Sequence, residues 1–139
     1  MAGDLGAVTF SVPREVAFDY LVDPRHRPEW QSSLRRVSAV DGEPRVGQTW
    51  VDETKLLLKP RMCTTELVRP SRWSETGTWR SVRADLTLDF HEAPGGCSVD
   101  YRLRFPRAGV VRGLLLGGLA TRAVTADLRR AARILSSRS

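Results

Sequence analysis

The sequence has 139 residues, of which 41% are hydrophobic and 27% are charged, as in an ordinary globular domain that spans residues 1–139. Its net charge of +6 comes from arginines scattered along the chain and only two lysines, Lys55 and Lys59, so clustering typical of a nucleic-acid surface is missing. The most apolar stretch, Gly113 to Ala120, is far shorter than the ~20 residues that cross a bilayer, which excludes a membrane span.

The N-terminal part alternates in polarity and then changes to a helical pattern. Val8, Phe10 and Val12 alternate with polar residues, which predicts a short strand with one apolar face. Pro13 suits the first turn of a following helix, and Asp23-Pro24 should end that helix because a proline disfavours helical backbone before it. Pro28-Glu29-Trp30 predicts a second short helical turn.

From about Leu34 to Phe105 the hydrophobic period is two, which predicts short strands separated by turns rich in Pro and Gly. The last two strands are the clearest, and Pro94-Gly95-Gly96 joins them into a hairpin. Their apolar residues share one face, and the long C-terminal helix is expected to pack on it: Leu86, Leu88, Phe90, Val99, Tyr101 and Leu103.

After Pro106 the period becomes helical through Leu135, which predicts one amphipathic helix of about 25 residues. Its first half is apolar on all sides and contains Gly113, Gly117 and Gly118. We therefore predict that the segment from Gly109 to Gly118 is a mobile gate, with Leu115 and Leu119 contacting a ligand. A dimer patch, or packing under the turn at Trp30, is the alternative use of these leucines.

This order of elements, with several local motifs, resembles the SRPBCC superfamily of START-domain and birch-pollen-allergen proteins, and especially the bacterial polyketide cyclase/dehydrase family. The matching pieces are Val16 to Pro24, Pro28-Glu29-Trp30, Val46 to Trp50, Thr65-Glu66-Leu67 with Pro70 and Arg72, and the closing helix.

The resemblance implies an α+β helix-grip fold: a curved antiparallel sheet of about seven strands, two short N-terminal helices and one long C-terminal helix around an apolar cavity. It implies binding of a small hydrophobic or polycyclic molecule, with polyketide cyclase or aromatase activity as an extension. The alternatives are a non-catalytic lipid or metabolite carrier, or a self-resistance protein that sequesters its ligand. A further alternative is a protein- or RNA-contacting module, because fold does not decide function.

Three carboxylates are the candidate catalytic groups: Asp52, Glu66 and Glu75. Alternation places Asp52 on the face of Trp50, Glu75 on the face of Trp73 and Glu66 on the face of Met62. An acid in an apolar cavity has a raised pKa, which suits proton transfer during cyclisation or dehydration. The alternatives are a strand register shifted by one residue, which turns the acids to water, and pairing with an arginine such as Arg80.

The remaining site predictions concern the ligand and its surroundings. The candidate ligand-binding residues are Trp50, Trp79, Leu88, Tyr101, Leu115 and Leu119, with core packing as the alternative role of the tryptophans. His26 and His91 lie in no metal-binding spacing, and no cofactor motif occurs, so neither a metal nor a cofactor is expected. Two cysteines and an N-terminus without a signal-peptide pattern predict a cytoplasmic protein. Both a monomer and a homodimer fit the sequence.

Overall fold

The computed structural model describes the backbone of residues 4–106 and 110–138 and the side chains of residues 6–106 and 120–138. The elements follow in this order: β1 Asp4–Phe10, α1 Arg14–Val22, a 3-10 turn Pro24–His26, α2 Arg27–Trp30, β2 Leu34–Ser38, β3 Thr49–Thr54, β4 Arg61–Val68, β5 Arg72–Trp79, β6 Val82–Ala93, β7 Gly96–Arg104 and α3 Val110–Arg138.

The seven strands form one antiparallel sheet in the order β1-β7-β6-β5-β4-β3-β2, so β2 to β7 are a meander and β1 pairs beside the last strand. The helix α3 packs against β1 and β7, where the buried Tyr101 hydroxyl and the Thr125 hydroxyl form a hydrogen bond. This architecture confirms the predicted helix-grip fold, including the number of strands and the long closing helix.

The first helix begins and ends at the predicted residues. It starts directly after Pro13 and stops before Asp23, whose backbone is extended and whose carboxylate accepts a hydrogen bond from the Arg25 amide at 3.0 Å. Pro24 then opens the 3-10 turn, and α2 follows without an interruption. Pro13 limits the start of α1, and Asp23 with Pro24 separates the end of α1 from the 3-10 turn.

The two ends of the sheet differ. The closed end carries α1 and the turns Arg69–Ser71 and Pro94–Gly95, and there α1 packs on β6 with Phe18 edge-on to Phe90 at 5.0 Å between ring centroids. The open end carries the turns Lys55–Lys59 and Arg80–Ser81, because successive turns of a meander alternate between its ends. The start of α3, which follows β7, lies at the open end.

The sheet departs from simple alternation at β4. A bulge between Thr64 and Glu66 opposes Thr64 to Glu75 but Glu66 to Ser74. A bulge adds one residue to a strand and thereby exchanges its two faces. Glu66 therefore lies on the convex face, where it accepts a hydrogen bond from Ser74 at 3.4 Å, and the prediction that it shares a face with Met62 is wrong.

Candidate functional site

A cavity of about 300 Å³ lies at the open end, between the concave face of the sheet and the helices α2 and α3. Its walls are mostly apolar, and they come from every layer of the fold: Trp30, Leu34, Pro60, Met62, Trp79, Val82, Ala84, Leu86, Leu103, Val124 and Leu128. Polar side chains interrupt this surface at Arg27, Gln31, Ser33, Asp52, Thr54, Glu75 and Asp127. The volume is at the lower end of the ~300–1,000 Å³ range of small-molecule sites.

One arginine holds two carboxylates at the cavity wall. Arg27, only 3% exposed, donates from Nε to Asp52 Oδ1 at 3.1 Å and from Nη2 to Asp52 Oδ2 at 2.8 Å. Its Nη1 donates to Glu75 Oε1 at 3.2 Å. The planar guanidinium therefore binds Asp52 in a bidentate way and bridges from β3 to β5, whereas a lysine lacks the planar pair of donors that this bidentate contact uses.

The two carboxylates differ in how completely they are paired. Asp52 Oδ1 also accepts a hydrogen bond from Trp50 Nε1 at 3.0 Å, so both oxygens of Asp52 have partners. Glu75 uses only Oε1, and its buried Oε2 has no hydrogen-bond partner among the described residues. Of the two carboxylates bound by Arg27, Glu75 is therefore the one with a buried oxygen that lacks a partner among the described residues.

The buried position of Glu75 also affects its protonation. Burial raises the pKa of Glu75, and the neighbouring charge of Asp52 raises it further, against the opposing effect of Arg27. Burial works against the charge of Arg27, but the carboxylates of Glu75 and Asp52 outweigh it and raise the pKa of the guanidinium. The cluster thus keeps a permanent cation beside an acid that holds its proton unusually well.

Short helix α2 places Arg27 inside the fold. Its far side is tied to α3, where Arg130 Nε donates to the Glu29 carbonyl at 2.8 Å. Asp127 of α3 accepts hydrogen bonds from the backbone and hydroxyl of Ser32, each at 3.2 Å. Burial raises the pKa of Asp127, although the Ser32 hydrogen bonds oppose this. These contacts hold α2 against the cavity.

A second polar atom without a partner belongs to the same wall. Trp30 lines the cavity, and its buried Nε1 makes no hydrogen bond to the described residues. A buried indole N–H usually finds an acceptor, since leaving it unpaired costs about 1–3 kcal/mol. Together, Trp30 Nε1 and Glu75 Oε2 offer one donor and one unpaired carboxyl oxygen beside an apolar space.

The structure brings two of the three predicted acids together. Asp52 and Glu75 share the cavity wall and one arginine, whereas Glu66 lies outside on the convex face. The pairing arginine is Arg27, and the suggested partner Arg80 instead stacks on the Trp79 ring at 4.7 Å from its centroid.

The predicted ligand-binding residues are distributed over several environments. Trp79 lines the cavity, while Trp50 lies beneath it as a hydrogen-bond donor to Asp52. Leu88 and Tyr101 are buried in the packed core and do not line it. The side chains of Leu115, Leu119 and the rest of the proposed gate at 109–118 lie outside the described side chains.

Arg27 was missed by the reasoning from sequence. Arg27 is one of many arginines, and it lies in a four-residue helix that has no periodicity to show which side is buried. The available signal was indirect: Pro24 and Pro28 bracket Arg27 closely, and a short rigid segment next to Trp30 is an unusual place for a solvated arginine.

Comparisons with known proteins agree with this architecture. The sequence matches the family described as "Polyketide cyclase / dehydrase and lipid transport" over residues 6–139. The chain belongs to this family. Its membership confirms the SRPBCC resemblance, and the family and fold together support binding of a hydrophobic ligand. No curated protein matches the sequence.

Solved structures show the same fold at low sequence identity. A START superfamily protein from Mycobacterium smegmatis superposes with a TM-score of 0.80 at 9% identity, covering 100% of both chains. Protein MLL2253 from Mesorhizobium loti has a TM-score of 0.80 at 15% identity and 98% coverage of both chains. DR_A0006 from Deinococcus radiodurans has a TM-score of 0.64 at 20% identity, with 93% of each chain covered.

Proposed function

We propose that this protein binds one small, mainly apolar molecule that carries an oxygen function, within the cavity at the open end. The observation that carries the proposal is an apolar cavity whose wall contains a buried, incompletely satisfied polar cluster. Ligand sites combine a large apolar surface with a few convergent polar groups, because apolar burial supplies affinity and the polar groups supply orientation.

The polar groups indicate which ligand chemistry fits. Trp30 Nε1 is a donor, so it suits a carbonyl or ether oxygen. Glu75 donates when protonated and accepts when ionised, so it suits a carbonyl or a hydroxyl. A flat aromatic polyketide or a small fatty acid has such an oxygen next to an apolar body, and a purely aliphatic hydrocarbon does not.

Tryptophan fluorescence tests binding directly, since Trp30 and Trp79 line the cavity. We expect titration with flat aromatic polyketides or medium-chain fatty acids to change the emission, and Trp79→Phe to remove much of the change. Trp73→Phe is the matched control, because Trp73 is buried in the core away from the cavity lining.

A cavity-filling variant adds a test without a tryptophan change. Ala84→Phe places a ring in the space beside β6 and should weaken binding at least tenfold while the protein stays folded. Val46→Phe, at an exposed site, should bind like the original protein. Unchanged fluorescence for both ligand classes, or full binding by folded Ala84→Phe, would exclude the cavity as the site.

Turnover is the second candidate function, and the unpaired oxygen and raised pKa of Glu75 favour it over a purely passive carrier. In this scheme Glu75 gives its proton to a carbonyl oxygen as the enol form of the substrate makes the new carbon–carbon bond, and it takes the proton of the enol hydroxyl to restore itself. Asp52 is fully engaged by Arg27 and Trp50, so its role is to position the arginine.

Glu75→Gln separates the two candidates. The amide keeps the shape and the Arg27 hydrogen bond but cannot exchange a proton at working pH. Loss of cyclised or dehydrated product with ligand binding retained supports catalysis. Retained binding with no product from either protein supports a carrier. Glu66→Gln, on the convex face, is the matched control and should leave both measurements unchanged.

A further inference from the structure

The turn between β3 and β4 exposes three consecutive leucines next to the cavity. Leu56 is 82% exposed, Leu57 72% and Leu58 37%. The flanking residues, Lys55 and Lys59, are the only lysines of the chain. Scattered exposed leucines are ordinary, but a run of three at a loop tip between two cations requires an explanation.

The turn is held in shape by its own hydrogen bonds. The Thr54 amide donates to the Leu58 carbonyl at 2.9 Å, and the Leu58 amide donates to the Thr54 hydroxyl at 3.0 Å. The Lys55 amide donates to the Ser33 carbonyl at 2.9 Å and fastens the turn to the residue that precedes β2. The leucines are therefore displayed by a defined backbone rather than collapsed onto the protein.

The backbone at the tip does not suit a leucine. Leu57 has a φ of 66°, in the left-handed region where glycine and asparagine are favoured and a branched apolar side chain is disfavoured. A leucine at such an exposed position benefits neither the local conformation nor the packing of the described residues. Local strain at a surface tip indicates a role outside the fold itself.

The turn also borders the cavity entrance. Thr54 and Pro60, on either side of it, line the cavity, and so does Ser33. Val82, at the neighbouring β5–β6 turn, lines the same cavity and is 42% exposed, so the cavity reaches the surface here. The tip and the entrance face the same side of the molecule.

We propose that the segment Lys55–Lys59 docks the protein on an anionic lipid bilayer, with the leucines in the acyl boundary and the lysines on the headgroups. The cavity entrance then faces the lipid, and an apolar ligand passes between bilayer and cavity without crossing water. This goes beyond ligand binding, because docking needs only the turn. Apolar burial supplies insertion, and the lysines with the +6 net charge supply attraction to an anionic surface.

A bilayer fits the turn better than a second copy of the chain does. Pairing the leucines of two copies would bring the four flanking lysines together, and like charges at close range oppose association. An anionic bilayer accommodates the leucines and both cations at once. The protein is expected to bind reversibly from one side, since no helix in residues 4–106 and 110–138 is long and apolar enough to cross a membrane.

Vesicle sedimentation tests the proposal with the full chain. Binding should be strong to vesicles of phosphatidylcholine mixed with phosphatidylserine, weak to phosphatidylcholine alone, and should fall as salt is raised. Lys55→Gln with Lys59→Gln should lower the partition coefficient about 30-fold, from the usual contribution of a basic residue near an anionic surface. Leu56→Ser with Leu57→Asn should lower it at least about tenfold.

The leucine variant is expected to stay folded, so that a loss of vesicle binding cannot be attributed to unfolding. Asparagine suits the left-handed backbone at position 57, so this variant should melt at or above the temperature of the original protein while losing vesicle binding. Val68→Ser is the matched control, because Val68 is an exposed apolar residue at the closed end and its loss should leave binding unchanged.

Three results would overturn the proposal: equal binding to neutral and anionic vesicles, full binding by the leucine variant, or self-association in lipid-free buffer that the leucine variant abolishes. The last result would assign the turn to a dimer interface. Failure here differs from failure of ligand binding, since the leucine variant should still change its tryptophan emission with a water-soluble fatty acid.

Discussion

The closed and open ends of the same sheet differ in how tightly they are packed. At the closed end, Phe10, Phe18 and Phe90 interlock under α1, and the strand residues facing them are fully buried and apolar. At the open end the same concave face meets α2 and the middle of α3 and leaves about 300 Å³ unfilled. One sheet thus provides both a packed core and a site.

Charge distribution accounts for part of the difference. The buried residues described around Phe10, Phe18 and Phe90 are uncharged, whereas the open end places Arg27, Asp52 and Glu75 on the concave face. Burying charge is costly unless the charges are paired, and their mutual hydrogen bonds fix the geometry in return. The comparison indicates that stability is concentrated at the closed end and binding specificity at the open end.

Arg27→Met should have the largest effect at the open end. It leaves Asp52 and Glu75 buried without their cation and should reduce the free energy of unfolding by about 3–5 kcal/mol at neutral pH. The loss should shrink in acid, where Glu75, whose pKa is raised by burial, holds its proton. Urea unfolding at pH 7 and pH 4 measures both. Arg27→Lys, which keeps the charge but not the bidentate geometry, should lose less unfolding free energy. If Arg27→Met lost less than Arg27→Lys at pH 7, the buried ion pairs would not have the stabilising role described.

Truncating each of two leucines on one face of β6 compares the packing on the two sides of the cavity boundary. Leu88 is fully buried against Trp73 and Tyr101, so Leu88→Ala should cost about 2–5 kcal/mol of unfolding free energy. Leu86, two residues earlier, lines the cavity and already faces empty space, so Leu86→Ala should cost less than half as much. Denaturant-induced unfolding of both variants measures the two losses. Equal losses would mean that the open end is packed as tightly as the closed end.

Two glycines give the same comparison for added volume. A Cβ at Gly96 would lie 2.0 Å from the Phe10 carbonyl oxygen, which is backbone at the closed end, so Gly96→Ala should cost about 2–3 kcal/mol. A Cβ at Gly77 would lie 2.8 Å from the Met62 sulfur, whose flexible side chain can turn into the cavity. Gly77→Ala should therefore cost less than about 1 kcal/mol in thermal unfolding, and a larger loss than that of Gly96→Ala would reverse the comparison.

The smallest effect concerns the protonation of Glu75. Its pKa is raised in the folded protein, so the folded state binds more protons than the unfolded chain, and stability falls as the pH rises from about 4.5 through the folded pKa. Glu75→Gln imitates the protonated acid and removes this dependence. The variant should gain stability relative to the original protein between pH 4 and pH 8. A relative loss with rising pH would show that attraction to Arg27 outweighs burial.

The two hydrophobic periods of the sequence were sufficient to predict the type and order of the elements, because these periods are local and long, whereas the helix-grip fold followed from the family resemblance. Alternation between Leu34 and Phe105 predicts the meander, and the helical period after Pro106 predicts the closing helix. The helix α1 ends before Asp23, because Pro24 disfavours a helical backbone at the residue that precedes it. Each of these features is decided within a few residues along the chain.

The site depends on contacts between residues far apart in sequence. Asp52 and Glu75 follow from alternation, but Glu66 does not, since a bulge of one residue in β4 reverses its face without any composition signal. The three leucines of the β3–β4 turn form an apolar run in the sequence, and only their exposure in the folded protein distinguishes a turn at the surface from a core strand.

The sequence by itself determined which elements form and which face of most strands is apolar, because side-chain direction along a strand or helix is a local property. Tertiary structure decided which arginine, out of twenty, became the buried partner of two acids. Arg27 holds that place because α2 lies across the open end, where β3 and β5 present Asp52 and Glu75 within reach of one guanidinium. That selection depends on distances in space, which periodicity along the chain does not contain.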